Sequence, residues 1–124
     1  TSTGAARAIG LVIPELAGKL DGVAVRAPVA DGSIVDLVAH LRREVTADEV
    51  NETFRSVADS GRLEGILRYT DEPLVSSDII GSSYSSVFDS KLTMAHGNEV
   101  KVFSWYDNEW GYSCRLVDLA ERLL

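Results

Sequence analysis

The sequence predicts an α+β fold with a largely antiparallel sheet. Three observations carry that expectation. Apolar residues recur at helical spacing in the middle and at the end of the chain, and a run of good helix formers opens it. Two strand-like runs, 91–96 and 99–106, flank a Gly97-Asn98 pair as the arms of a hairpin do. Helices and strands alternate irregularly, without the strict strand–helix–strand repeat of a parallel sheet. No internal repeat, low-complexity tract or Ser/Pro linker divides the 124 residues, which read as one structural unit.

Each element has its own local reason. Thr3-Gly4 precedes Ala5-Ala6-Arg7-Ala8-Ile9, so a helix starts there and runs to about Ile13, where Pro14 stops it. Gly22 to Arg26 reads as a short strand, ended by Pro28 and the turn-like Ala30-Asp31-Gly32. Ser33 to Leu41 is the next strand, with Val35, Leu37, Ala39 and Leu41 on one face and Ile34, Asp36, Val38 and His40 on the other. Thr46-Ala-Asp-Glu49 has the spacing of a capping box, and Val50, Phe54, Val57 and Ala58 form the apolar stripe of the helix behind it. Ile66 to Tyr69 is a short strand, and Pro73 to Gly81 an ordered loop. After the hairpin, residues 110–124 are helical, with Tyr112, Leu116, Leu119, Ala120 and Leu123 as their stripe.

Composition excludes several classes. Twelve Lys and Arg against nineteen Asp and Glu leave a charge of −7, the wrong sign for gripping nucleic acid or an anionic membrane surface. The single cysteine, Cys114, rules out an internal disulfide and fits a reducing compartment. Two histidines 56 positions apart and one thiol make no structural zinc site, so no metal is expected. No apolar run is long enough to span a bilayer, and no secretory signal opens the chain. The chain begins Thr1-Ser2-Thr3 without a methionine, so it is expected to be a piece of something longer.

Three places have the chemistry of a site. Thr3 and Gly4 stand where a helix N-terminus offers free N–H groups and a hydroxyl, which suits either a plain cap or a phosphate seat. Arg26 ends an apolar stretch before Ala27-Pro28, where its guanidinium fits either a salt bridge or a phosphate. Ser104 to Ser113 packs two Trp, two Tyr, two acids and an amide into one strand-to-helix junction. Asn108 there offers a donor and an acceptor suited to a carboxamide ligand, while Asp107 or Asn108 also suits a cap on the last helix. Cys114 lies past the first turn of that helix without a partner that would make it a nucleophile. There is no G-x-G-x-x-G and no P-loop.

Four blocks carry a specific resemblance. Thr1-Ser2-Thr3-Gly4-Ala5-Ala6-Arg7-Ala8, Gly18-Lys19-Leu20-Asp21-Gly22, Glu72-Pro73-Leu74-Val75-Ser76-Ser77-Asp78 and Ser104-Trp105-Tyr106-Asp107-Asn108-Glu109-Trp110-Gly111-Tyr112-Ser113 resemble the C-terminal part of the phosphorylating glyceraldehyde-3-phosphate dehydrogenase family. The similarity runs in register from the first residue to the last. It implies an α+β catalytic domain with a mixed, mostly antiparallel sheet covered by helices. Residues 1–124 are then its C-terminal portion, ending in a helix at about 110–124, with the N-terminal Rossmann domain outside this chain.

The function implied is NAD-dependent oxidation of glyceraldehyde 3-phosphate, with inorganic phosphate, to 1,3-bisphosphoglycerate and NADH. The cysteine nucleophile and its histidine belong to segments upstream of Thr1, so this segment holds no catalytic residue and is expected to be inactive alone. Thr3 and Gly4 match the pair that binds inorganic phosphate, and Arg26, within Val-Arg-Ala-Pro, matches an arginine that holds phosphate. Asn108 matches the amide that contacts the nicotinamide carboxamide, and Tyr112 lies close to that pocket. The residues that choose NAD over NADP lie in the missing half. A cytoplasmic homotetramer is implied, with the Pro73 to Asp78 region as an interface.

The chain departs from the family at Val29-Ala30-Asp31-Gly32, where many members have Thr-Pro-Asn-Val. Erythrose-4-phosphate dehydrogenase is the related alternative, and a non-catalytic assembly or binding module is the alternative of another class.

Overall fold

A computed structural model describes residues 3–124. Its elements are α1 (Ala5–Val12), β1 (Ser33–His40), α2 (Ala47–Ala58), β2 (Leu67–Thr70), β3 (Ser86–Asp89), β4 (Met94–His96), β5 (Glu99–Tyr106) and α3 (Trp110–Leu123), with short 3-10 turns between them. The sheet runs in the order β1-β5-β3-β2, and β4 also pairs with β5. Among the described residues only β2 and β3 pair in parallel; every pairing of β5 is antiparallel. The sheet is thus mixed and mostly antiparallel, as the sequence predicts.

The long β1–β5 ladder pairs Ser33 with Tyr106 at one end and His40 with Glu99 at the other. Alternation along it sorts the side chains. Val35, Leu37 and Ala39 share a face with Ser104, Val102 and Val100, and Ile34, Asp36 and Val38 share the other with Trp105, Phe103 and Lys101. On the second face Lys101 Nζ sits 3.1 Å from Asp36 Oδ2, a diagonal cross-strand pair. The hairpin predicted at Gly97-Asn98 is present. Gly97 takes φ +59°, and Asn98 both accepts from the Leu41 N–H at 2.8 Å and donates through Nδ2 to the Leu41 carbonyl at 3.0 Å.

The core gathers around β3. Val87 and Phe88 are each 1% exposed, joined by Ile79, Leu67 and Val100. Phe88 points to the face that α2 covers, where the Phe54 ring stacks on it at 3.9 Å with 5° between planes. On the opposite face Trp105 Nε1 donates to the buried Asp89 at 3.1 Å. β3 has no expectation in the sequence reading. It is four residues long and lies between the loop predicted at Pro73 to Gly81 and the hairpin predicted from Lys91.

The capping box at α2 is complete. The Thr46 hydroxyl accepts from the Glu49 N–H at 3.2 Å, and the Glu49 carboxylate takes the Thr46 N–H at 2.8 Å. That backbone hydrogen bond and Arg43 hold the Glu49 carboxyl below its ordinary range. Thr46→Ala is expected to destabilise this helix by about 1 kcal/mol. Faster hydrogen exchange at the Glu49 amide, with β-strand amides unchanged, is the measurement that checks it.

One expectation needs correction. Gly22 to Arg26 forms no strand: Val23 and Val25 are 80% and 86% exposed, and the sheet ends at β1. Alternating valines make a strand only where an edge pairs with them along their length. α3 forms where the sequence predicts it, and its apolar stripe lies on the surface of this chain. Tyr112, Leu116, Leu119 and Leu123 are 64%, 49%, 55% and 79% exposed. The helix docks instead through Gly111, which is buried, and Arg115, which donates to the Ser83 carbonyl at 3.3 Å and Ser85 Oγ at 3.2 Å and is held by Asp118 of the same helix at 2.7 Å. A Cβ at Gly111 would come within 3.1 Å of the Tyr84 carbonyl, so the absence of a side chain sets this approach.

Candidate functional site

The junction between β5 and α3 is organised by one buried carboxylate. Asp107 is 3% exposed. Its Oδ1 accepts the N–H groups of Glu109 at 3.0 Å and Trp110 at 2.8 Å, and its Oδ2 accepts the Gly81 N–H at 2.9 Å. It therefore caps α3 and also ties down the loop after the Ser76–Ile79 turn. The Trp110 and Gly81 amides hold its carboxyl below the ordinary carboxylate range, against burial, which acts the other way. Of the two caps the sequence allows, Asp107 is the one used.

With Asp107 turned inward, Asn108 is left at the surface in the turn that follows. Its Oδ1 accepts the Ser33 hydroxyl at 3.2 Å. Ser33 pairs with Tyr106 in the ladder, which explains how residues 75 positions apart meet at one end of the sheet. Nothing in the local sequence around Ser33 signals this contact; only the strand register reveals it. Tyr112 and Trp110 lie in the first turn of α3, 64% and 54% exposed. Beside them Trp110, Ser113, Cys114, Val117 and Asp118 line an open groove of about 400 Å³.

The other predicted residues stand elsewhere in the chain. Thr3 Oγ1 accepts the Ala5 N–H at 3.2 Å, and Gly4 stands at the helix N-cap with φ −87°. A Cβ on Gly4 would meet nothing within 4 Å. Neither backbone strain nor packing therefore demands glycine at that position. Arg26 is exposed on the coil between α1 and β1. Among the described residues no hydrogen bond or ion pair joins Thr3, Gly4, Arg26, Asn108 and Tyr112 to one another; what the structure joins is Asn108 to Ser33 and to the Asp107 anchor. Cys114 is half-buried in α3, one turn beyond its start.

Among the described residues, no group of three His, Cys, Asp or Glu side chains is placed to hold a metal ion. No described helix is long and apolar enough to cross a membrane.

Comparison with known proteins gives the family of the chain. Residues 1–108 match the family model described as glyceraldehyde 3-phosphate dehydrogenase, C-terminal domain. The chain is 61% identical over 121 residues to glyceraldehyde-3-phosphate dehydrogenase of Streptomyces coelicolor, covering 97% of this chain and 36% of that protein. It is 60% identical over 120 residues to the enzyme of the same name from Mycobacterium leprae, covering 97% of this chain and 35% of the relative. The corresponding Mycobacterium avium protein is 58% identical over the same shares. The chain thus spans about a third of the length of the curated relatives it matches. By sequence along nearly its whole length, and by its mixed, mostly antiparallel sheet, the chain belongs to the glyceraldehyde-3-phosphate dehydrogenase C-terminal domain family.

Proposed function

We propose that the full-length protein is a phosphorylating, NAD-dependent glyceraldehyde-3-phosphate dehydrogenase, and that residues 1–124 are the C-terminal portion of its catalytic domain. Its substrates are glyceraldehyde 3-phosphate and inorganic phosphate, its products 1,3-bisphosphoglycerate and NADH. It works in the cytoplasm as a homotetramer. The nucleophile and the base come from segments outside this chain, so residues 1–124 alone turn nothing over. The observation that supports this reading best is the β5–α3 junction: a buried Asp107 fixes the turn, and that turn holds out the Asn108 carboxamide.

In this reading each residue has a physical task. Thr3, Gly4 and Arg26 hold phosphate. A hydroxyl, backbone N–H groups at a helix end and a guanidinium suit a dianion, and a phosphate placed before attack loses less entropy in the transition state. The same donors stabilise charge as it moves onto the phosphate oxygens. The exposed backbone at Gly4 leaves room for that approach. Asn108 binds the nicotinamide carboxamide and thereby sets which ring face is presented, with Tyr112 beside it. NAD, when bound, supplies the hydride acceptor.

Asn108→Ala in the full-length enzyme is expected to weaken NAD binding by about tenfold, as loss of a well-made polar contact does, and to slow hydride transfer. Titration with NAD and single-turnover absorbance at the NADH band read both, and wild-type values for both would remove Asn108 from the site. Assaying glyceraldehyde 3-phosphate against erythrose 4-phosphate settles the choice between the two related activities; a higher kcat/KM for erythrose 4-phosphate would overturn the assignment.

A further inference from the structure

We infer that Ser33 is a positioning residue for Asn108: its hydroxyl occupies the carboxamide oxygen and so turns the –NH2 group toward the ligand. The inference rests on the proposed reading of Asn108 as the nicotinamide contact.

The contact is made by two arms that are each fixed independently. On the first, Ser33 starts β1 and is paired with Tyr106, which holds it beside the residues that follow β5. Just before it, Gly32 takes φ +85°, and a Cβ there would lie 2.8 Å from the Ser76 carbonyl oxygen. Only glycine permits so close a passage with that backbone. The Asp31 carboxylate accepts the Gly32 N–H at 2.7 Å and secures the same turn. On the second arm, the buried Asp107 holds the backbone on the far side of Asn108 through the amides of Glu109 and Trp110. Between these arms the Ser33 hydroxyl reaches Asn108 Oδ1 at 3.2 Å.

The chemistry follows from the inventory of an amide, which has one acceptor oxygen and two N–H donors. With the oxygen engaged by Ser33, the group offered outward is a donor. Its natural complement is a carbonyl oxygen, so Asn108 addresses the C=O of the nicotinamide carboxamide rather than its –NH2. A side chain already ordered by Ser33 also gives up less rotamer freedom when the ligand arrives.

Dinucleotide binding to the full-length enzyme tests this. The probes are NAD and 3-acetylpyridine adenine dinucleotide, which keeps the carbonyl oxygen and replaces the amide –NH2 with a methyl group. Ser33→Ala is expected to raise both dissociation constants by about three- to tenfold, the worth of one uncharged hydrogen bond. It should leave the KM for inorganic phosphate unchanged, which general damage to the domain would not. Ser33→Thr keeps the hydroxyl and is expected to bind both dinucleotides like wild type. If Ser33→Ala binds both normally while Asn108→Ala does not, the Ser33 role is wrong and the Asn108 reading stands. A loss confined to NAD overturns the donor-to-carbonyl orientation. Wild-type affinity in Asn108→Ala overturns both readings together.

Discussion

Arg26→Ala in the full-length enzyme is expected to lower phosphate-dependent turnover roughly ten- to a thousandfold, the range over which loss of one transition-state donor is felt. The side chain is exposed on the coil before β1, and no ion pair among the described residues engages it. Its removal should therefore leave the thermal midpoint in place, so the loss reads chemistry and not folding. Arg26→Lys keeps the charge without the two-pronged geometry and should recover only part of the rate. Steady-state kinetics with aldehyde and phosphate varied separately decides the matter. Wild-type kcat/KM for both in Arg26→Ala would sink the phosphate role.

Asp107→Ala should be the most damaging change to stability at the junction. It strands three backbone N–H groups, at Gly81, Glu109 and Trp110, of which the last two open α3. A loss of about 3 kcal/mol is expected, since buried donors left unpaired cost ~1–3 kcal/mol each and those nearest the surface recover water. Asp107→Asn keeps an acceptor of the same shape and should lose less. The two forms also differ in acid. The folded-state pKa of Asp107 lies below its ordinary value of 3.8. The stability it contributes is therefore present above about pH 4 and lost as pH falls through the lower folded value. The Asn variant has no such group to protonate, so the gap between it and the native protein should close below pH 4. Thermal unfolding of both proteins between pH 3 and 7 measures this, and a gap that persists in acid would refute the charge-assisted role.

How much of this was legible in the sequence depends on the distance over which each feature is decided. The Thr46–Glu49 box and the Gly97-Asn98 turn are local, set by side chains within three or four residues of the groups they bond, and both form where their spacing predicts. Asp107 and Asn108 were legible as a pair but not as a division of labour. Which one turned inward depended on Gly81, 26 residues away. Ser33 was legible only as the start of a strand, because its partner is set by the register of β1 on β5. The strand predicted at Gly22 to Arg26 does not form, and the apolar stripe of α3 stays exposed, for a common reason. Periodicity shows which residues want cover but not whether a neighbour supplies it, and among the described residues Val23, Val25 and Leu116 have little. The proposed roles of Thr3, Gly4 and Arg26 come from resemblance, since spacing alone favours a cap and a salt bridge.

The two glycines nearest these sites answer to different masters over generations. Gly32 is pinned by geometry, because a left-handed backbone and a carbonyl 2.8 Å from any Cβ forbid replacement whatever the protein does. Gly4 carries neither constraint, with φ −87° and open space around it. Replacement by alanine would meet no clash and would cost the fold only a poorer N-cap on α1. In the proposed reading, what would hold glycine there is the approach of phosphate to the backbone, a constraint set by the ligand and not by the fold.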